Sequence, residues 1–139
     1  MAGIMPWVIK NQEDGTLPID EMEYITNIAP NEHVVPIQAI SLESSMNNCQ
    51  GKVLRMDYIQ KVKKLAKKKK LLMHLDGARS WNAALFLDLE MKQMVEDFDL
   101  ISVCFSKGMG CPVGSALVGS QKLISQARVF RKMLGGGMR

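Results

Sequence analysis

Residues 56–105 alternate twice between helical and strand patterns, and this alternation restricts the fold more than any other feature. Residues 56–70 place apolar side chains at helical spacing, and residues 71–75 form a short apolar run that ends at an Asp-Gly pair. Residues 80–95 return to helical spacing, and residues 99–105 are again largely apolar. Helices between apolar strands predict parallel strands joined by right-handed crossovers, and continuous apolar runs favour burial on both sides. We therefore expect an α/β fold with a mostly parallel sheet and helices on both faces.

The flanking segments extend this pattern in both directions. Two prolines and the turn pair Asp14-Gly15 favour loop and turn over residues 1–20. After the glycine-rich turn that follows residue 105, the chain returns to a strand pattern and then to a basic helix. The expected elements are a short helix near 21–29 capped by Asp20, a strand at 36–42, a strand at 114–119 and a helix from about residue 121.

The net charge of +4 comes from one segment, KVKKLAKKKK at residues 61–70, which holds seven lysines. Without these lysines the remaining net charge is 4 − 7 = −3, so basicity is not a property of the whole surface. Nucleic-acid binding would depend on this one segment, and no aromatic side chains are interleaved with its lysines. The sequence favours a solvated helix face over a nucleic-acid site or a membrane-surface helix, which would carry Trp or Phe on its apolar side.

Length, composition and cysteine usage limit the class of protein. A chain of 139 residues, 47% of them apolar, fits one globular domain, and no run reaches the roughly 20 apolar residues of a membrane span. The chain does not open with the basic and apolar regions of a signal peptide. The three cysteines, Cys49, Cys104 and Cys111, are odd in number and show no C-x-x-C spacing. We expect reduced thiols in an intracellular, cytoplasmic protein without a metal site.

Two chemical groups follow neighbouring strands at the point where each strand ends. Asp76 closes the first apolar run, and Lys107 comes just after the second, in the stretch ISVCFSKGMGCPVGS at 101–115. Ligands of open α/β sheets bind outside the carboxyl ends of the strands, so the carboxylate and the amine should meet in one crevice. Arg79, at the entry to the next helix, can add a second cation there.

A carboxylate, a lysine and an arginine in one crevice match the needs of pyridoxal phosphate. The lysine forms a Schiff base with the aldehyde, the carboxylate keeps the ring nitrogen protonated, and the arginine can hold a substrate carboxylate. His74 should lie on the same side of its strand as Asp76, as a site residue or as a hydrogen-bonded core histidine. Ser106 lacks an obvious base beside it, which argues against a serine hydrolase.

Four blocks of the sequence resemble the threonine aldolase family, a branch of the fold-type I pyridoxal-phosphate enzymes grouped with the β-eliminating lyases. This resemblance implies an α/β fold that is part of the large domain of such an enzyme, over residues 1–139. The blocks are SLESSMNNCQGKVL (41–54), HLDGARSWNAA (74–84), SVCFSKGMGCPVGS (102–115) and RKMLGGGMR (131–139).

The resemblance implies a role for several residues. Lys107 matches the Schiff-base lysine of the family, and Asp76 matches the acid that pairs with the pyridine nitrogen. Arg79 matches an arginine of the cofactor and substrate-carboxylate site. Arg131 and Lys132, with the glycines that follow, match a loop near the cofactor phosphate of an adjacent subunit in these tetrameric enzymes.

The implied function is retro-aldol cleavage of threonine or allo-threonine to glycine and acetaldehyde, with pyridoxal phosphate as cofactor and a β-hydroxy amino acid as substrate. Two features of the sequence depart from the family pattern and bear on this implied function. Met46 stands where the family has a histidine near the substrate hydroxyl, and a thioether cannot accept that proton. The chain also corresponds to an internal part of the family's sequence, without the upstream phosphate-binding segment and the C-terminal small domain. We therefore expect the isolated chain to be an incomplete enzyme.

Three alternatives remain open at this level. The chain can be a catalytically inactive remnant of such an enzyme that is able to associate with longer subunits. It can be a related pyridoxal enzyme of different substrate chemistry, such as β-elimination. The third alternative, a nucleic-acid-binding module, would depend on the lysine run alone.

Overall fold

Helices and strands alternate along the chain, as the sequence predicts. The structure is a computed structural model, and it describes residues 4–137. A short 3₁₀ turn at Asn47–Cys49 follows the first strand. Within the described residues the helices are α1 (Ile19–Asn27), α2 (Met56–Lys69), α3 (Ser80–Phe86), α4 (Met91–Val95) and α5 (Gln121–Met133), and the strands are β1 (Ala39–Glu43), β2 (Leu72–Gly77), β3 (Leu100–Cys104) and β4 (Ser115–Gly119).

The four strands form one mixed sheet in the order β1-β2-β3-β4. β1, β2 and β3 are parallel, with Glu43 opposite Asp76 and Asp76 opposite Ser102. β4 runs antiparallel to β3, with Cys104 opposite Ser115. The sheet is therefore mostly parallel, as expected, and the chain returns along its last strand through the turn that contains Lys107.

The two faces of the sheet differ in burial. The apolar side chains on one face of β1, β2 and β3 are buried in the main core, whereas the other face carries polar side chains that are partly exposed. We expected both faces of the sheet to be buried, but within residues 4–137 only one face is. The reason is that apolar and polar residues alternate within the runs, which is the pattern of a strand with one buried face. The buried set is Ile40, Leu42, Met73, Leu75, Ile101 and Val103, and the polar set is Ser41, Glu43, His74, Asp76, Ser102 and Cys104.

Helix α2 covers the buried face of the sheet with its apolar side, as its sequence pattern predicts. Its lysines lie on the outer surface, where Lys68 Nζ is 2.7 Å from Glu23 Oε1 and Lys63 pairs with Asp97. The solvated helix face predicted for the lysine run is confirmed. The apolar positions that pack into the core are those at helical spacing: Tyr58, Ile59, Val62, Leu65 and Ala66.

The single helix expected over residues 80–95 is wrong, because the chain breaks into α3 and α4. Asp88 adopts a φ of +55°, a left-handed conformation that ends α3. Helix α4 then begins after its N-cap residue Glu90, whose backbone N–H donates to Gln93 Oε1 at 2.9 Å. Apolar spacing continues across the break, and this continuity concealed it in the sequence.

Two element boundaries also differ from expectation. β1 begins at Ala39 instead of 36, since Pro36 has no N–H to donate to a neighbouring strand. α1 begins at Ile19 after Pro18, so Asp20 lies in the first helical turn and is not the cap. An acidic side chain in the first turn still interacts favourably with the positive end of the helix dipole.

Helix α5 packs against β4 and leaves much of its apolar surface exposed. None of its residues is fully buried. The exposed apolar side chains of this part of the chain are Val129, Phe130, Met133 and Leu134, with Leu117 and Val118 on β4.

Candidate active site

Asp76 lies at the carboxyl end of β2, on the polar face of the sheet. Its carboxylate is half-buried, and Oδ1 accepts a hydrogen bond from the backbone N–H of Ala78 at 3.1 Å. Among the hydrogen bonds within residues 4–137, Oδ2 is not engaged. The acid is therefore held in place through one oxygen, and the other is available to a ligand.

His74 shares the polar face with Asp76, two residues earlier on β2. Its Nδ1 lies 2.8 Å from Ser41 Oγ on the neighbouring strand. Burial lowers the pKa of His74, and the nearby Asp76 carboxylate opposes this shift. The structure thus favours a neutral imidazole hydrogen-bonded to the first strand, close to the acid.

Arg79 lies just before α3 and reaches toward the end of β1. Its Nη2 donates to Asn47 Oδ1 at 2.9 Å, and its Nη1 lies 3.8 Å from Glu43 Oε1. Glu43 Oε1 in turn accepts from the backbone N–H of Asn47 at 3.0 Å. The sequence reasoning missed Glu43 and Asn47, although a carboxylate at the end of a predicted parallel strand was a usable signal.

Lys107 lies in the turn between β3 and β4, and its side chain is exposed. Its carbonyl accepts from the N–H of Gly110 at 2.9 Å, which closes a tight turn. The base of the loop is fixed by Phe105, whose carbonyl accepts from Cys111 N and whose N–H donates to the Gly114 carbonyl, both at 2.9 Å. The lysine is therefore held on a hydrogen-bonded hairpin.

Cys104 links the lysine to the rest of the polar face. It lies on that face two residues after Ser102, the partner of Asp76, and is not part of the buried core. Its Sγ lies 3.1 Å from Ser106 Oγ. This hydrogen bond and the charges of Lys107 and Arg79 lower the pKa of the Cys104 thiol. Both cations therefore act on the same thiol at the carboxyl end of β3.

A cavity of about 830 Å³ opens beside β1 and the end of β2. Asp76, Glu43 and Met46 are among its lining residues, together with Trp7 of the N-terminal segment, whereas Lys107 is not. Met46 is 8% exposed and packs beside Gly15, so its thioether fills space in this wall.

Arg131 and Lys132 lie in the last turn of α5, both exposed. Their carbonyls accept from Gly136 N and Gly135 N, at 2.8 and 3.1 Å. None of the hydrogen bonds or ion pairs within residues 4–137 joins their side chains to Asp76, Arg79 or Lys107. The last two residues of their sequence block, 138 and 139, lie outside the described part of the chain.

Two further findings concern the class of site. Over residues 4–137 no cluster of three or more His, Cys, Asp or Glu side chains is arranged to hold a metal ion. In the same part of the chain, none of the helices has the length and apolar character needed to cross a membrane.

The whole sequence of the chain is similar to part of the sequence of several named proteins. The chain is 45% identical to the probable low-specificity L-threonine aldolase 2 of Arabidopsis thaliana, over 100% of this chain and 39% of that protein. It is 39% identical to the low specificity L-threonine aldolase of Escherichia coli (strain K12), over 100% of this chain and 40% of that protein. The chain thus spans about two fifths of the length of these relatives.

The fold is similar as well. A crystal structure of a putative L-allo-threonine aldolase from Listeria monocytogenes EGD-E superimposes with a TM-score of 0.82 at 23% identity, over 97% of this chain and 35% of that one. The mixed sheet and its helices are therefore part of the fold seen in that structure. The family described as beta-eliminating lyase matches residues 1–139. The chain belongs to the beta-eliminating lyase family.

Proposed function

We propose that this chain carries the lysine and the acid of a pyridoxal-phosphate-dependent lyase that cleaves threonine, allo-threonine or a similar β-hydroxy amino acid to glycine and an aldehyde. The single observation that carries the proposal is the register of the sheet. Asp76 and the strand leading to Lys107 are neighbours in parallel pairing, and both chain segments leave the sheet at its carboxyl edge. The names of the aldolase relatives support the choice of reaction.

The residues present fit pyridoxal phosphate. Bound in a protein, this group supplies an aldehyde that condenses with an amine and a ring that accepts an electron pair. Asp76 offers a half-buried carboxylate whose Oδ2 is not engaged within residues 4–137, and it lines a cavity of the size of small-ligand sites, which Lys107 does not line. Lys107 offers an exposed amine on a fixed hairpin.

Each residue would have a distinct role in the proposed reaction. Asp76 would hold a proton at the ring nitrogen, and Lys107 would bind the aldehyde carbon and then move a proton as an amine. Arg79 would bind the substrate carboxylate. Because Met46 has no proton-accepting atom, the proton of the β-hydroxyl must go to another base.

Assembly and location belong to the same proposal. The protein would act on a small amino acid in the cytoplasm, as a homo-oligomer (a tetramer), without binding nucleic acid. Arg131 and Lys132 would lie near the cofactor phosphate of an adjacent subunit. Their exposure on α5 supports a role outside their own subunit.

The binding step can be tested on the 139-residue chain itself. We expect pyridoxal phosphate followed by borohydride to label Lys107 in peptide maps, and Lys107→Ala to remove that label. Lys122→Ala is the matched control, since Lys122 is also exposed but lies on α5. Labelling of Lys107 no greater than that of Lys122 would refute the proposed cofactor site.

An inactive chain of the same ancestry is the second candidate. The exposed apolar side chains of β4 and α5 favour it, because a working enzyme normally buries such a surface. The two candidates share the label on Lys107 and differ in product. Glycine and acetaldehyde released from threonine by the purified chain, and lost in Lys107→Ala, would establish the enzyme, and their absence would support the inactive chain.

A further inference from the structure

Helix α3 touches the lysine turn at two consecutive positions. The ring of Trp81 lies 6.4 Å from that of Phe105, measured between centroids. One residue further along, Asn82 lies directly against Gly108, where a Cβ would come within 3.1 Å of the Asn82 Cγ and closer still to Oδ1. The second contact adjoins Lys107 itself.

The two glycines that follow Lys107 are glycines for different reasons. Gly110 adopts a φ of +68° with open space where a Cβ would be, so its requirement is conformational. Gly108 is not among the residues with left-handed φ, and a Cβ there would overlap the exposed side chain of Asn82, which would have to move away from the turn to make room. A missing Cβ at Gly108 lets the helix approach the turn.

The same helix is fixed to the strand that carries Asp76. Gly77 directly follows Asp76, and a Cβ there would lie 3.1 Å from the Ser102 carbonyl of β3. Ser80, the first residue of α3, donates its hydroxyl to the Gly77 carbonyl at 2.8 Å. The strand end that carries Asp76 is therefore bonded to the first residue of α3, and the same helix contacts the turn that carries Lys107.

We propose that Asn82 is a positioning residue whose side chain, packed on the bare Cα of Gly108, sets the direction in which the Lys107 amine leaves the hairpin. The proposal rests on the proposed function, in which that amine binds the cofactor. A displacement of residue 108 would move Lys107 in two ways. It acts directly through the peptide bond between the two residues, and it acts through the hydrogen bond from the Gly110 N–H to the Lys107 carbonyl.

The test is a pair of double-mutant comparisons within one turn. Gly108→Ala adds a methyl group that displaces the Asn82 side chain from the turn, and Asn82→Ala removes that side chain, so the two changes break the same contact and the double variant should lose no more than either single variant. Gly110→Ala meets no neighbour and is opposed by its own backbone, so its effect should be independent of Asn82. Leu85→Ala, on the same helix and 82% exposed, is the control for truncating a residue of α3.

The readout is the borohydride-trapped pyridoxal phosphate on Lys107 divided by that on Lys122, with thermal unfolding midpoints recorded for every variant. We expect Gly108→Ala and Asn82→Ala each to lower this ratio about fivefold, and Asn82→Ala/Gly108→Ala to lower it no further than either single change. In Asn82→Ala/Gly110→Ala, where the two changes act on different requirements, the two losses should multiply. Losses that multiply in Asn82→Ala/Gly108→Ala would overturn the proposal, as would an unchanged ratio in Gly108→Ala.

Failure of the proposed function gives a different result. If wild-type Lys107 is not trapped above Lys122, the cofactor assignment has failed, and alkylation of Cys104 by iodoacetamide decides the role of Asn82. The charge of Lys107 helps to lower the pKa of this thiol, so a displaced lysine should slow its alkylation in Gly108→Ala and in Asn82→Ala, with no further slowing in the double variant. Equal alkylation rates in all variants would then overturn the positioning role.

Discussion

Arg79 and Glu43 face each other across the ends of two parallel strands, with Nη1 and Oε1 3.8 Å apart. The arginine proposed to bind the substrate carboxylate is thus already close to a carboxylate of its own chain, and its second nitrogen donates to Asn47. Glu43 also accepts from the Asn47 backbone, so one side chain fixes both the arginine and the loop after β1.

We predict that Glu43→Gln lowers the free energy of unfolding by about 1 kcal/mol, because it weakens a charge-assisted hydrogen bond and a partly buried ion pair. Urea unfolding measures this change. Glu13→Gln, which changes an exposed acid outside the helices, is the control and should have little effect. If Glu43→Gln and Arg79→Gln were additive in the double variant, the two side chains would not interact.

A second prediction concerns Cys104. Its lowered pKa is caused first by the Ser106 hydrogen bond, with Lys107 and Arg79 contributing less, so a larger fraction of Cys104 than of an ordinary cysteine is thiolate at neutral pH. Ser106→Ala should slow alkylation of Cys104 by iodoacetamide at pH 7, and Lys107→Ala should slow it to a smaller extent. Mass spectrometry of the digested protein follows Cys104 and, as an internal control, Cys111.

An unchanged rate at Cys104 in Lys107→Ala would show that the lysine does not act on the thiol, and that the turn has another orientation. An equal slowing at Cys111 would indicate a general loss of structure, which a thermal unfolding midpoint would also detect.

The third prediction is a dependence of stability on pH. Burial lowers the pKa of His74 in the folded chain below its ordinary value of 6.5, so the folded state favours the neutral imidazole. The stability that this histidine contributes is fully present above pH 6.5 and is lost as the pH falls below it, because the unfolded chain then binds the proton more readily.

Between pH 7 and pH 5 the free energy of unfolding should therefore fall more steeply in the wild type than in His74→Gln. Urea unfolding at several pH values measures both slopes. His33→Gln is the matched control, since His33 is exposed and far from the sheet face. Equal slopes for wild type and His74→Gln would contradict this environment for the imidazole.

The fourth prediction tests which face of β2 is buried. Leu75 is 0% exposed, and we expect Leu75→Ala to destabilise the chain by about 3 kcal/mol through lost burial and a residual cavity. Leu72, on the same strand, is 46% exposed, and its replacement by alanine should cost less than about 1 kcal/mol. Comparable losses at both positions, measured by urea unfolding, would mean that both faces of the strand are covered in solution.

The sequence predicted those features that depend on periodicity and on the direction of the chain. Helical spacing identified the five buried positions of α2, and apolar runs identified β2 and β3. The rule that parallel strands share a carboxyl edge was enough to select Asp76 and Lys107 as candidate site residues.

Other features were beyond such reasoning, because they depend on contacts between distant segments. The contact of Arg79 with Glu43 joins residues 36 positions apart, with no repeating pattern to indicate it. The left-handed residue Asp88 interrupts a spacing that stays helical on both sides. The contact between Asn82 and Gly108 forms only when the helix packs against the hairpin.

The reversal of direction at β4 determines where the chain can tolerate an insertion or a deletion. A crossover connection can lengthen without disturbing the strands that it joins, whereas the loop from β3 to β4 is a hairpin whose two stems are bonded at Phe105 and Gly114. Insertions or deletions there would shift the amine against both stems at once. A change of length is therefore tolerated less well in this loop than in the crossover connections between the parallel strands.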